Sequence, residues 1–471
     1  MKLSILNLCL FLGSLTTSFC LHYTPKQAIL TIKSIVEFAE IEGRNTVPEI
    51  SNSIYEVLKV ANNSENEDST GLKNAQEQAI AKLFFMVKAE EINSTEKLKK
   101  NLNDTYSQKS NMVQSNVIAI SKGIKPKDLV DSKNGFSYEL NTPHNNNSKE
   151  PELKIYPKAD SSDPDYTVSE KKLRSAIYIP KSFQYGKGDK QPLIFIPATG
   201  VMGGMNYYYT LLKTLNQTGL VDPVWINNPD YMLADIQVNA EYIAYAINYI
   251  AGITGKNVTI VSWSQGNLAS QWQLSYWTSA RSKVNDFIAI SPDFHGTTGN
   301  VGCPAPNTTG CPPAALQKEY HTNFTDTLFK HGGGSSYVPT TIIYSSFDQT
   351  VSPKSGKNSS FLLKDEHKAG VKINEIKNLC PGKNAGDRYF HESMLYNPLV
   401  HALAVDAIKN GGPGDPSRID LDSVCKTNYH EALTLEDVIC SEAVNAQSGI
   451  HTLSYFKTTE EPPLRKYAKE D

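Results

Sequence analysis

From residue 176 onward the chain alternates short apolar runs with stretches of helical periodicity, and this pattern restricts its fold more than any other feature. The runs occupy residues 193–197, 223–226, 258–263, 287–290 and 341–344. Between the second and third, residues 236–250 are apolar at Ile236, Ala240, Ile243, Ile247 and Ile250, the one-sided stripe of an amphipathic helix. Strands that are apolar throughout must be covered on both faces, which predicts an α/β fold with a mostly parallel central sheet and helices on either side. Ligands of such sheets bind beyond the carboxyl ends of the strands. Chemistry is therefore expected just after each apolar run.

After the run 258–263 the sequence reads "VSWSQGN" (261–267), followed by the helical stretch "NLASQWQLSYW". Strand, sharp turn and helix is the setting in which a nucleophilic serine is displayed, with the pattern G-x-S-x-G. Ser264 occupies the central position and Gly266 the second glycine, while the first glycine is replaced by Ser262. The turn is strained and close-packed, so small residues are needed on both sides of the serine. Ser262 is small but carries a Cβ.

A serine hydroxyl attacks only when a base takes its proton. In this arrangement the partners follow in the order serine, acid, histidine. His367 lies in a charged stretch, His401 inside a helical one, and His430 and His451 in polar or terminal helical sequence. His391, in "GDRYFHESM", sits between a glycine-containing loop and the start of a helix, and is the candidate base. Two acids directly follow apolar runs, Asp293 after "FIAISP" and Asp348 after "TTIIYSSF". Spacing leaves both open. Developing negative charge on the attacked carbonyl needs fixed N–H donors. The amide of Gln265 is one candidate, and Thr199, in the small-residue loop of "LIFIPATGVMGG", is another through its amide and hydroxyl. That loop lacks G-x-x-x-x-G-K-[ST], so it carries no phosphate-binding signature.

Several stretches, in this order, resemble the fungal lipases related to Candida antarctica lipase B. They are "PATG" (197–200), "DIQVNAEY" (235–242), "WSQG" (263–266), "ARSKV" (280–284), "SPDFHGT" (291–297), "VPTTIIYSSFDQTVSP" (338–353) and, more weakly, "EPPLRKYA" (461–468). That family also places a small hydroxyl residue at the first elbow position. The resemblance implies an α/β-hydrolase fold, with Ser264 as nucleophile, Asp348 as acid and His391 as base. It implies oxyanion donors at Thr199 and Gln265, and a substrate pocket touched by Asp293, Thr350 and Val351. It also implies a disulfide between Cys380 and Cys425. The expected activity is a metal-free, cofactor-free lipase or carboxylesterase acting on acylglycerols or related esters, at a lipid–water interface. Acyl transfer, polyester or amide hydrolysis on the same triad, or a non-catalytic secreted binding protein of the same fold, remain alternatives. Two departures stand out. The cysteine that would precede "EPPL" is missing, which leaves Cys440 without a family partner, and "VGCPAPNTTGCPPAALQ" (301–317) differs from the family's segment. The resemblance begins near residue 191, and the preceding residues offer no recognisable counterpart.

The rest of the chain divides by composition. Residues 1–20 have one lysine, a short apolar run and small residues, the layout of a signal peptide and too short for a comfortable membrane span. No later segment has the ~20 consecutive apolar residues that a spanning helix requires. Residues 21–130 are expected to be a helical extension or pro-region, with helices near 27–39 and 71–89. Residues 131–175, rich in Asn, Ser, Asp, Pro and Lys, are expected to be a polar linker ending near the dibasic pair Lys171-Lys172, which is either a processing site or two solvated lysines. Residues 176–471 are then the catalytic domain. N-x-[ST] acceptors at Asn62, Asn93, Asn103, Asn146, Asn216, Asn257, Asn307, Asn323 and Asn358 fit a secreted glycoprotein. Cys303 and Cys311 bracket a Pro/Gly/Asn-rich loop and can close it in an oxidising compartment; no cysteine spacing matches a zinc site. A net charge of −3 offers no basic footprint for nucleic acid. A monomer is expected.

Overall fold

The computed structural model describes residues 89–107, 112–125, 138–299, 303 and 310–469, together with Glu77, Ala81 and Val87. The expected signal peptide, the helix near 27–39 and nearly all of that near 71–89 lie outside the described residues.

Seven strands form one sheet: β1 (Ile177–Tyr178), β2 (Gln191–Ile196), β3 (Val221–Ile226), β4 (Val258–Trp263), β5 (Val284–Ile290), β6 (Thr340–Tyr344) and β7 (Val371–Glu375). Their order is β1-β3-β2-β4-β5-β6-β7. Only the β1–β3 pairing is antiparallel. Each apolar run of the sequence is one of these strands, and alternate side chains enter opposite layers, as the period of two demands. Ile194, Ile196 and Ile260 pack into one core, while Leu193, Phe195 and Val261 pack into the other.

The six longest helices among the described residues are α1 (Thr95–Tyr106), α2 (Met112–Ser121), α3 (Ile236–Thr254), α4 (Gln265–Tyr276), α5 (Pro398–Asn410) and α6 (Val444–Ser454). The Asp235 side chain caps α3 by accepting from the Gln237 amide, and Gly255 ends the helix in the left-handed conformation. The apolar stripe predicted for α3 faces the sheet, but its other side is also buried, contrary to a surface helix. Residues 138–175 lie across it. The Glu241 carboxylate accepts from the amides of Thr167 and Val168 and from the Thr167 hydroxyl. Tyr249 donates to the Lys149 carbonyl, and Tyr166 stacks on Trp277 with ring centroids 6.2 Å apart.

Residues 138–175 therefore do not behave as the polar linker expected from composition. They are mostly irregular, but they form a strap. Ile155, Tyr166 and Leu173 are buried, and the Leu140 carbonyl accepts from Trp225 and Asn227. Asparagine and serine, read as solvated, instead satisfy backbone groups: Asn147 bridges the carbonyls of Arg174 and Ile177. A few fully buried side chains at about 1.5–3 kcal/mol each, plus these bonds, are enough to hold such a segment down. Lys171 and Lys172 are exposed, within the short helix Glu170–Ser175.

The helices α1 and α2 dock on the far side. Tyr106 packs on Phe390 at 4.9 Å between centroids, and Lys99 pairs with Asp387 at 3.0 Å. Asn116 of α2 is packed where a side chain at Gly449 of α6 would stand. Disulfides join Cys303 to Cys311 and Cys380 to Cys425. Cys440 is buried in the helix Leu435–Glu442. Among the described residues no helix is long and apolar enough to cross a membrane.

Candidate active site

The sequence "VSWSQGN" forms a tight turn between β4 and α4. Ser264 has φ +54° and ψ −133°, a conformation a side-chain-bearing residue adopts only when its surroundings enforce it. Here its amide donates to the Ile290 carbonyl at 3.1 Å, and Asn267 donates to the carbonyls of both Ser264 and Ile290. Gly266 is required by close approach, since a Cβ there would stand 2.6 Å from the Pro197 carbonyl oxygen. Ser262 is a strand residue, paired with Ile196 and Ala289 on its two sides, and its hydroxyl meets that of Ser270 at 3.1 Å. Its Cβ has room in the sheet, so the missing first glycine leaves the turn intact.

His391 follows an irregular stretch and opens the 3-10 turn Glu392–Tyr396. Its Nδ1 lies 2.7 Å from the Asp348 carboxylate. Both side chains are buried. The other Asp348 oxygen accepts from the amides of Thr350 and Val351, each at 2.8 Å, which aims the carboxylate at the imidazole. The His391 amide donates to Gln349, whose amide group in turn donates to Glu392. The Trp263 ring lies 4.8 Å from the imidazole between centroids, and its Nε1 donates to the His391 carbonyl. The residue before Ser264 thus holds the histidine beside the turn. Burial alone would lower the His391 pKa, but the adjacent Asp348 charge outweighs it and leaves the pKa above the ordinary histidine value.

Of the two acids open on spacing, Asp348 reaches His391 and Asp293 does not. Asp293 is buried in the loop after β5, and its Oδ1 has no hydrogen-bond partner among the described residues. Burial raises its pKa to about 6, a shift held back by the charges of Lys318 and His391. Thr297 stitches this loop to the Asp348 loop, donating to the Thr350 carbonyl and accepting from the Ser352 amide.

The loop after β2 carries Thr199. Its hydroxyl donates to Gln265 Oε1 at 2.7 Å, and the Gln265 amide group is oriented by donating to the Met232 carbonyl. Gln265 is the first residue of α4, where backbone N–H groups have no acceptor within the helix. Gly200 follows at φ +75°, and a Cβ on it would stand 2.5 Å from the Ser448 hydroxyl. Ser448 and His451, both on α6, bond the carbonyls of Thr199 and Gly200 respectively. The β2 loop is thus clamped from outside.

Ser448 supports the site from a stretch with no signal in the sequence, while Gln349 and Glu392 lie in stretches already singled out for Asp348 and His391, and His451, weighed only as a base, holds the Gly200 carbonyl. Lys318, just past the short helix Pro313–Gln317, is also buried, and its Nζ donates to the Thr199 hydroxyl at 2.9 Å. The described end of the segment 301–317 is anchored at the start of α3, where Gln317 bonds the Ile236 amide and Asp235.

No family model matches the chain. It is 34% identical over 284 residues to lipase B of Pseudozyma antarctica, covering 59% of this chain and 79% of that one. The crystal structure of Aspergillus fumigatus lipase B superposes with a TM-score of 0.78 at 39% identity, covering 88% of this chain and 99% of that one. That share exceeds what residues 191–471 can supply, so likeness extends into the N-terminal region, which the sequence motifs had left without a counterpart. With that coverage and identity, the chain belongs to the lipase B family, serine ester hydrolases of the α/β-hydrolase fold.

Proposed function

We propose that the protein is a secreted lipase or carboxylesterase that hydrolyses acylglycerols or related carboxylic esters through an acyl-enzyme on Ser264. The observation that carries this reading is the buried His391–Asp348 pair held by Trp263 beside a turn whose strained residue is Ser264. In the proposed cycle His391 accepts the Ser264 proton as the hydroxyl attacks the ester carbonyl. Asp348, bonded to Nδ1, fixes the tautomer that leaves Nε2 free to act and stabilises the imidazolium. The amides of Thr199 and Gln265 receive the oxyanion, a contribution of roughly 3–4 kcal/mol per donor in comparable sites. The imidazolium then protonates the departing alkoxide. Water, activated by the same imidazole, releases the acid. Asp293, Thr350 and Val351 would border the acyl group.

Secretion is supported by the two disulfides and by the acceptor asparagines. Asn93, Asn146, Asn216, Asn257, Asn323 and Asn358 are exposed. Asn62 and Asn307 lie outside the described residues, and Asn103 is half-buried. A fluorophosphonate probe should label the folded protein at Ser264. Ser264→Ala should abolish both labelling and hydrolysis of p-nitrophenyl esters. Labelling that persists in the variant would show the nucleophile to be elsewhere.

A further inference from the structure

Lys318 is a lysine sealed inside the protein, 4% exposed, at the edge of the proposed oxyanion site. A buried ammonium is costly unless charge and hydrogen bonds offset its lost hydration. The charge that faces it is Asp293, in the loop after β5. Its hydrogen bond goes to the Thr199 hydroxyl at 2.9 Å. The same hydroxyl donates to Gln265 Oε1 at 2.7 Å. Gln265 cannot turn around to reverse that bond without giving up its 2.7 Å bond to the Met232 carbonyl.

An ammonium has only donors, and a hydroxyl has one proton and two lone pairs. With Lys318 charged, one Thr199 lone pair is occupied and its proton must point away from the lysine. Its proton is then left to donate to Gln265 at rest or to an oxyanion when one forms. A neutral amine would instead offer a lone pair, and the hydroxyl proton could turn toward it.

Resting on the Ser264 acyl-enzyme reading above, we propose that Lys318 is a positioning residue for catalysis: its ammonium, bonded to the Thr199 hydroxyl and opposite the Asp293 carboxylate, locks that hydroxyl as a donor to the oxyanion and brings a positive charge to the carbonyl under attack. The effect is electrostatic and directional, and Lys318 need not touch the substrate. It also sets an upper pH limit. Burial brings the Lys318 pKa down to about 8, with Asp293 opposing that fall. The ammonium is present below that pH and lost above it, so the rate of acylation should decline as pH rises through about 8. Glu319, next in the chain, and His391 and Asp348, which both act on Asp293, are further titratable groups of this neighbourhood, and none of them bonds the Thr199 hydroxyl.

The test is a double-mutant cycle on the full chain. Lys318→Met, Thr199→Val and the double variant are assayed for kcat and KM on p-nitrophenyl butyrate from pH 6 to 10, with fluorophosphonate labelling and thermal unfolding alongside. Wild type should show an alkaline limb near pH 8. Lys318→Met should lose roughly tenfold or more in kcat with little change in KM, and the limb should vanish. In the Thr199→Val background the lysine substitution should cost clearly less than in wild type, because the hydroxyl linkage is already gone and only the effect of the charge is left to lose. Should Lys318→Met fold poorly because Asp293 is left unpaired, Lys318→Met with Asp293→Asn removes both charges and should show the same lost limb. Unchanged kcat with the limb retained, or fully additive losses, would overturn the proposal, as would a fall in thermal stability alone. A wild-type protein that neither turns over nor labels would instead refute the acyl-enzyme reading itself.

Discussion

At the scale of single residues, the site depends on a few buried charges whose ionisation is set by neighbours. In the proposed cycle His391 must be neutral to accept the serine proton, and the Asp348 charge raises its pKa against the lowering effect of burial. Protonated below that pKa, it cannot act, so the acid limb of kcat/KM should lie above the ordinary histidine value of about 6.5. Asp348→Asn should cut kcat by roughly 10⁴-fold and move the limb to lower pH, because the imidazolium loses its partner and the tautomer is no longer fixed. A pH–rate profile of the two proteins checks both. Ser264 stood out because the elbow has a local signature, and the two acids because each follows an apolar run; His391 stood out only by its place between a glycine-containing loop and a helix. Between Asp293 and Asp348, though, the residues alone gave no decision; the amides of Thr350 and Val351, which aim Asp348, are visible only in three dimensions. Lys318 was not legible at all. A lysine at the end of "PPAALQK" reads as solvated, and only the approach of the β2 and β5 loops encloses it.

At the scale of elements, the strands were readable because burial on both faces leaves no room for polar residues within them. The strap was not. Its composition is that of a solvated linker, yet its polar groups find partners on α3 and around β1 rather than in water. Hydrophobic patterning detects burial through apolar area, and so misses a segment held largely by hydrogen bonds. This has a consequence for the dibasic pair. Lys171 and Lys172 are exposed, but they lie in a helix, and the next residue, Leu173, is fully buried. A protease must unwind that helix to bind the bond as an extended strand. Folded protein treated with trypsin under native conditions should therefore remain intact at Lys172, and cleavage there should appear only with denaturant. Rapid native cutting after Lys172 would show that the strap opens freely.

At the scale of the whole molecule, the proposed catalytic groups come from the carboxyl ends of different strands: Thr199 after β2, Ser264 after β4, Asp293 after β5 and Asp348 after β6. His391 is the exception. It lies beyond β7 on an irregular stretch enclosed by the Cys380–Cys425 bridge, whose cysteines are 45 residues apart. Closing a loop of that size should remove chain entropy from the unfolded state equivalent to about 4 kcal/mol. Replacing both cysteines by serine should lower thermal stability accordingly, and kcat should fall with it as the His391 segment loosens. Calorimetry and an esterase assay on the same samples would show whether the two losses travel together.

The clamp on the β2 loop carries a different kind of consequence, one of timing. The loop is held by Ser448 and His451 of α6, and α6 is in turn overlain by α2 from the N-terminal region. The serine turn is thus translated long before the helix that steadies its neighbouring loop. A nascent chain halted before residue 444 would contain the proposed nucleophile, base and acid, but not the support for Thr199. Hydrolytic competence should arrive late in synthesis, when segments from both flanks of the sheet have closed on the loop, and incomplete chains should be poor hydrolases even with every triad residue present.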